Sequence, residues 1–179
     1  MSFLSRLFGG GAPDDPLAST PVKEWPPADG QSPHVSLERQ ALESFSARVP
    51  FGAPFDAVRS LGRPDVYESS RDGFATLTYN RWGLQLEIEL GKFVQAAFLI
   101  GELHRRESRP DLVLAEPRGT DGLSLTMRTT RDELEHRFGT PNNLQDLGDT
   151  VILYYNIGPL VSEYELREGF LTGWDVYLD

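Results

Sequence analysis

Leu84-Gln85-Leu86-Glu87-Ile88-Glu89-Leu90 and Leu160-Val161-Ser162-Glu163-Tyr164-Glu165-Leu166 are the stretches whose reading decides the fold. In the first, apolar and polar residues alternate without a break. That is the period of a strand with one face buried and the other wet. The second follows the same plan and carries its two glutamates at the same steps.

Outward from these strands, the same signals come in the same order. Leu61-Gly62-Arg63-Pro64-Asp65 precedes the first and Phe138-Gly139-Thr140-Pro141-Asn142 the second. Each reads as a helix stop, because glycine accepts the unusual backbone past a helix end and proline forces an extended exit. Residues 74–79 and 150–155 then read as matching strands, with Leu153 on Leu77 and Tyr155-Asn156 on Tyr79-Asn80. Further strands are expected at 93–100 and 170–178, after turns at Gly91-Lys92 and Gly169. The offset stays at about 76 residues, and a constant offset of ordered signals marks an internal repeat.

Two helices are expected before the first strands. Ser36 can cap a helix over 36–49, where Leu37, Ala41, Leu42, Phe45 and Val49 recur at helical spacing and Pro50 closes it. A shorter one over 54–61 has proline at its start and Gly62 past its end. In the second half, Thr130-Arg131-Asp132-Glu133 has capping-box spacing, with Leu134 and Phe138 on one face of the helix it starts. The fold class is therefore α+β, as two tandem repeats of a short helix followed by a three- to four-stranded antiparallel sheet. The repeats occupy 34–100 and 121–179, joined by a charged, proline-containing linker over 101–120 in which Leu112-Val113-Leu114 could add an edge strand. Residues 1–33 hold six of the 13 prolines and the run Gly9-Gly10-Gly11, so a disordered tail is expected there.

Charge and composition narrow the function. The 27 acidic residues outweigh 17 basic ones, and a net charge of -10 repels phosphate backbones and anionic lipid. Nucleic-acid binding is not expected. With no cysteine, disulfides and thiolate metal sites are excluded and a reducing compartment is favoured. No stretch reaches the length of a transmembrane span, and residues 1–11 are too short and polar for a signal-peptide core. A cytoplasmic protein is expected.

Chemistry-bearing motifs are sparse. His34, His104 and His136 are the candidates for proton transfer near neutral pH, but none has ligand or triad spacing. They read as surface histidines, so no catalytic residue, metal ligand or cofactor is assigned and the chain reads as more plausibly a non-enzyme. Glu87 and Glu89, with Glu163 and Glu165, stand two apart on strands, and such pairs share a face. They read as a solvated sheet face, as a cation site or hydrolase pair, or as an acidic surface flanked by Trp82, Tyr154 and Trp174 that steers a basic protein partner. Tyr154 should point away from Leu153 towards the acidic face, whereas the poor alternation of the last strand leaves Trp174 open to either face.

The pattern Gly52-x5-Val58-x2-Leu61-Gly62-x-Pro64, followed by a strand ending in Tyr79, resembles the helix-plus-sheet module of BamE/SmpA-type assembly lipoproteins. Two such modules in tandem also look like the β-lactamase inhibitory protein family, in which two units form a concave sheet that grips an enzyme. The likeness spans about residues 50–179, while the secretion signal, lipobox and disulfide cysteines of those exported proteins have no counterpart. It implies an architecture and a habit of binding proteins, not a particular partner. The expectation is a protein-binding module, of an inhibitor or immunity type. A small-ligand-binding protein or a hydrolase using the sheet-face carboxylates is the alternative.

Overall fold

A computed structural model of the protein describes residues 22–28, 30–70, 73–101 and 124–179. In chain order these form a 3-10 turn (Val22–Glu24), β1 (His34–Ser36), β2 (Ala41–Glu43), β3 (Arg48–Pro50) and α1 (Phe55–Val58), which tightens into a second 3-10 turn (Arg59–Leu61). Then come β4 (Val66–Ser69), β5 (Ala75–Tyr79), a 3-10 turn (Asn80–Trp82), β6 (Leu84–Glu89) and β7 (Lys92–Leu99). The second half holds α2 (Arg131–Phe138), β8 (Asn143–Asp146), β9 (Thr150–Ile157), β10 (Leu160–Arg167) and β11 (Phe170–Leu178). The protein is α+β, mostly sheet with few helices.

Two antiparallel sheets result. A small one has the order β1-β2-β3, and a broad one has the order β4-β5-β6-β7-β11-β10-β9-β8. Each half of the broad sheet is a meander, and the two meet where the last strand of one pairs with the last strand of the other. Ala97 lies opposite Asp175 at that seam. One face of the sheet is the core: Leu77, Leu86, Ile88, Phe98, Leu153, Tyr164, Trp174 and Val176 are almost fully buried and belong to one apolar cluster. Each fully buried leucine or isoleucine contributes about 1.5–3 kcal/mol.

The covering elements explain their sequences. α1 lays Phe55 and Val58 on the first half, where Trp25 stands 5.3 Å from Phe55 and Phe51 stacks 4.7 Å from Phe93. α2 does the same on the second half, placing Phe138 5.4 Å from Tyr155 and 5.7 Å from Tyr164. Its capping box forms as its residues require: the Thr130 hydroxyl accepts from the Glu133 amide, and the Glu133 carboxylate accepts from the Thr130 amide.

Three expectations are corrected. Residues 36–49 are not a helix; they lie in and between three short strands. Gln40 takes a left-handed φ of 51° in the first reversal, and Ser44 and Ala47 close the second. Leu37, Ala41, Leu42 and Val49 are buried as expected, but Phe45 is not. The tail does not extend to residue 33: Val22, Trp25 and Ala28 are buried in the core, and Arg63 donates its amide to the Pro26 carbonyl at 2.7 Å. Short edge strands β4 and β8, paired with β5 and β9, add to each half what the sequence pattern omitted. Residues 1–21, most of the expected linker, Leu112-Val113-Leu114 and His104 lie outside the described residues.

Candidate functional site

Residues directly opposite in an antiparallel pair share a face, so register traces rows across the broad sheet. On the side away from the core, one row runs from Thr78 through Gln85, Ala97, Asp175 and Glu163 to Tyr154. The next runs from Thr76 through Glu87, Gln95 and Tyr177 to Val161. A third takes in Leu99, Gly173, Glu165 and Ile152. None of these side chains belongs to the apolar cluster, and these rows contain carboxylates and tyrosines but no lysine or arginine.

Glu163 is the centre of this surface. Its neighbours across the ladder are Tyr154 on β9 and Asp175 on β11, and Tyr177 donates its hydroxyl to Glu163 Oε2 at 3.3 Å. Partial burial raises the pKa of the Glu163 carboxyl; the Tyr177 hydrogen bond works the other way, and the Glu165 charge adds to the rise. Burial and the same carboxylate push Tyr177 up to about 12, and Tyr154 is raised for the same two reasons. The arrangement is a half-desolvated negative charge held between two phenols, suited to attracting a cation or accepting a hydrogen bond. Asp175 and Tyr177 were not singled out in the sequence. They alternate with Trp174 and Val176, whose inward direction the sequence did not show.

The structure gathers only part of the expected set. Tyr154, Glu163 and Glu165 share the outer face with Glu87. β7 and β11 lie between β6 and β10, so the two acidic pairs stand about 14 Å apart at ordinary strand spacing. The four carboxylates do not converge. Glu89 sits exposed at the end of β6 opposite Lys92.

Trp82 and Trp174 are corrected: both belong to the core. Trp82, 5% exposed, stacks 4.9 Å from Tyr79. Trp174, 1% exposed, stacks on Phe98 and Tyr164 and donates its indole N–H to the Ser162 hydroxyl at 2.8 Å. A bulge between Glu165 and Leu166 shifts the β10–β11 register and breaks the alternation of β11, which hid the direction of Trp174 in the sequence.

Elsewhere, His34 pairs with Glu43 at 3.4 Å, and His136 is exposed on α2 at the rim of a shallow cavity of about 470 Å³ that also includes Arg128 and Asp132. A smaller hollow of about 220 Å³ is lined by Arg131, Val151 and Leu166. Neither touches the acidic face. Among the described residues, no group of three or more histidines and carboxylates could hold a metal ion, and no helix is long and apolar enough to cross a membrane.

Fold and face together define an α+β protein built on a broad antiparallel sheet with one side covered and an acidic, tyrosine-bearing other side. No protein-family model matches the chain, and no curated protein is detectably similar to it. Among solved structures it is similar to a DUF4309 family protein (YjgB) from Bacillus subtilis subsp. subtilis str. 168, with 10% identity and a TM-score of 0.47, over 80% of this chain and 90% of that one. A likeness at that level carries no functional argument.

Proposed function

We propose that this protein is a protein-binding module that engages a partner with a basic surface through the outer face of its broad sheet, in the manner of an inhibitor or immunity protein. The observation that carries the reading is Glu163, held between Tyr154 and Tyr177 in rows of that face that hold carboxylates but no lysine or arginine. Carboxylates there steer a basic partner, while the phenols add rigid contact area with little conformational entropy to lose. The face is broad rather than enclosed, which fits a macromolecule better than a small ligand.

In this reading the two halves are copies of one helix-plus-sheet unit, like the modules of BamE/SmpA-type and β-lactamase inhibitory proteins. The mirrored strand order and a shared pin support it. The Asn80 amide donates to Asp65 Oδ2 at 2.7 Å, and the Asn156 amide donates to Asn142 Oδ1 at 2.7 Å. The cysteine-free sequence suits a cytoplasmic setting. A ligand-binding or hydrolytic reading draws on the raised Glu163 carboxyl, which a general acid needs, beside Asp175 and Glu165, but that face is open rather than an enclosed pocket.

The test is recovery of tagged protein from native lysate at modest salt. One chain should co-purify in near-equal amount and be lost when Tyr154, Glu163 and Glu165 are replaced together, with elution promoted by salt. Recovery of a folded protein with nothing bound would overturn the reading.

A further inference from the structure

We infer that the β2–β3 hairpin is a second contact element, which presents Phe45 as an aromatic anchor for an apolar pocket with an acidic rim on a partner protein. Phe45 is 90% exposed, against 72% for Leu90, the next most exposed large apolar side chain among the described residues. Its position is built rather than loose. The Ser44 amide donates to the Ala47 carbonyl at 2.7 Å, and the Ala47 amide donates to the Ser44 hydroxyl at 3.1 Å. Ala47 turns inward and is buried, so the turn sorts its two apolar residues to opposite sides.

The stem is locked as well. Glu43, opposite Arg48 in the ladder, is almost buried, and its carboxylate lies 3.3 Å from Arg48 Nε, 3.5 Å from Arg39 Nη1 and 3.4 Å from His34 Nε2. Burying a charge for stability alone is a poor use of it, whereas several partners around one carboxylate fix a geometry. Both arginine side chains are more than half exposed, so two cations stand at the stem of the hairpin that carries Phe45, while the carboxylate they share is turned in. An exposed aromatic on an ordered turn above a basic stem is an interface anchor with its ordering cost already met.

An anionic membrane is the other surface that a phenyl and two arginines could meet. One aromatic side chain gives only marginal membrane affinity, so a protein pocket is the better fit.

The anchor rests on the protein-binding reading, and one experiment separates the two. Tagged full-length protein, Phe45→Ser, Phe45→Trp and the control Leu90→Ser are compared for retained chains from native lysate, melting temperature, and flotation with phosphatidylserine vesicles. The expected result is a chain retained by the parent, Phe45→Trp and Leu90→Ser, but bound about thirtyfold more weakly by Phe45→Ser at an unchanged melting temperature. Equal retention by Phe45→Ser overturns the anchor and leaves the sheet face standing. Nothing retained by the parent overturns both. Flotation that Phe45→Ser abolishes overturns the protein pocket in favour of a lipid surface.

Discussion

The halves of the broad sheet share a connection and differ in what covers it. In the first, Asp65 donates its amide to the Thr78 carbonyl, and in the second Asn142 donates to Tyr154, both at 2.8 Å. Gly62 and Gly139 both hold positive φ with extended ψ, a conformation nearly restricted to glycine. Yet Gly62 is sealed under Pro27 and Ala28, while Gly139 faces open space. The buried Tyr79 hydroxyl donates to the Gly62 carbonyl at 3.0 Å, whereas the buried Tyr155 hydroxyl has no hydrogen-bond partner. The same backbone device is therefore a packed joint on one side and an exposed one on the other. The exposed half also carries Tyr154 and Glu163.

Substitution should expose this difference most strongly at the glycines. A Cβ at Gly62 would run into the Ala28 backbone, with its nitrogen 2.6 Å away, so Gly62→Ala should cost about 3 kcal/mol or more. Gly139→Ala meets nothing within 4 Å and should cost only the backbone strain, about 1–2 kcal/mol. Denaturant midpoints measured side by side would decide it, and equal costs would break the comparison. Tyr79→Phe leaves a carbonyl without its donor and should cost about 1–2 kcal/mol. Tyr155→Phe removes an unsatisfied hydroxyl and should leave the midpoint unchanged or raise it slightly. For the shared pin the expectation reverses: Asp65→Ala and Asn142→Ala should cost similar amounts, about 1 kcal/mol each.

The smallest effect concerns pH. Glu163 holds its proton more readily folded than unfolded, so the folded state binds more protons just above the ordinary carboxylate range. Stability from this group is therefore lost as pH rises through that window. Glu163→Gln should melt slightly higher than the parent at about pH 7, with solvent screening keeping the gain below about 0.5 kcal/mol, and the advantage should vanish by about pH 3. A gain that persists at the lower pH would assign the effect to packing instead.

Where one face is buried and strands are long, the sequence was readable. Leu84, Leu86 and Ile88 announce β6, and Thr130 with Glu133 announces α2, because period and cap are local properties. The small sheet was not readable. Strands of three residues are too short to show period two, and two chain reversals spaced Leu37, Ala41 and Val49 as a helix would. At the site, Glu163 and Tyr154 follow from alternation alone. The burial of Trp82 depends on a turn and that of Trp174 on a bulge, which no period records. The separation of the two acidic pairs depends on strand order, a tertiary property.

Of the neighbouring strands in the broad sheet, β7 and β11 at the seam are the pair furthest apart in sequence. Loop closure over such a span is slow relative to forming either meander, so this pairing should come late in folding. Until Phe170–Leu178 arrives, β7 is an unprotected edge eight residues long, carrying Phe93, Ala96 and Phe98 on the face meant for the core. A chain interrupted before β11 would thus offer a template for self-association, and β11, which follows every other strand of the broad sheet, is the one that closes it.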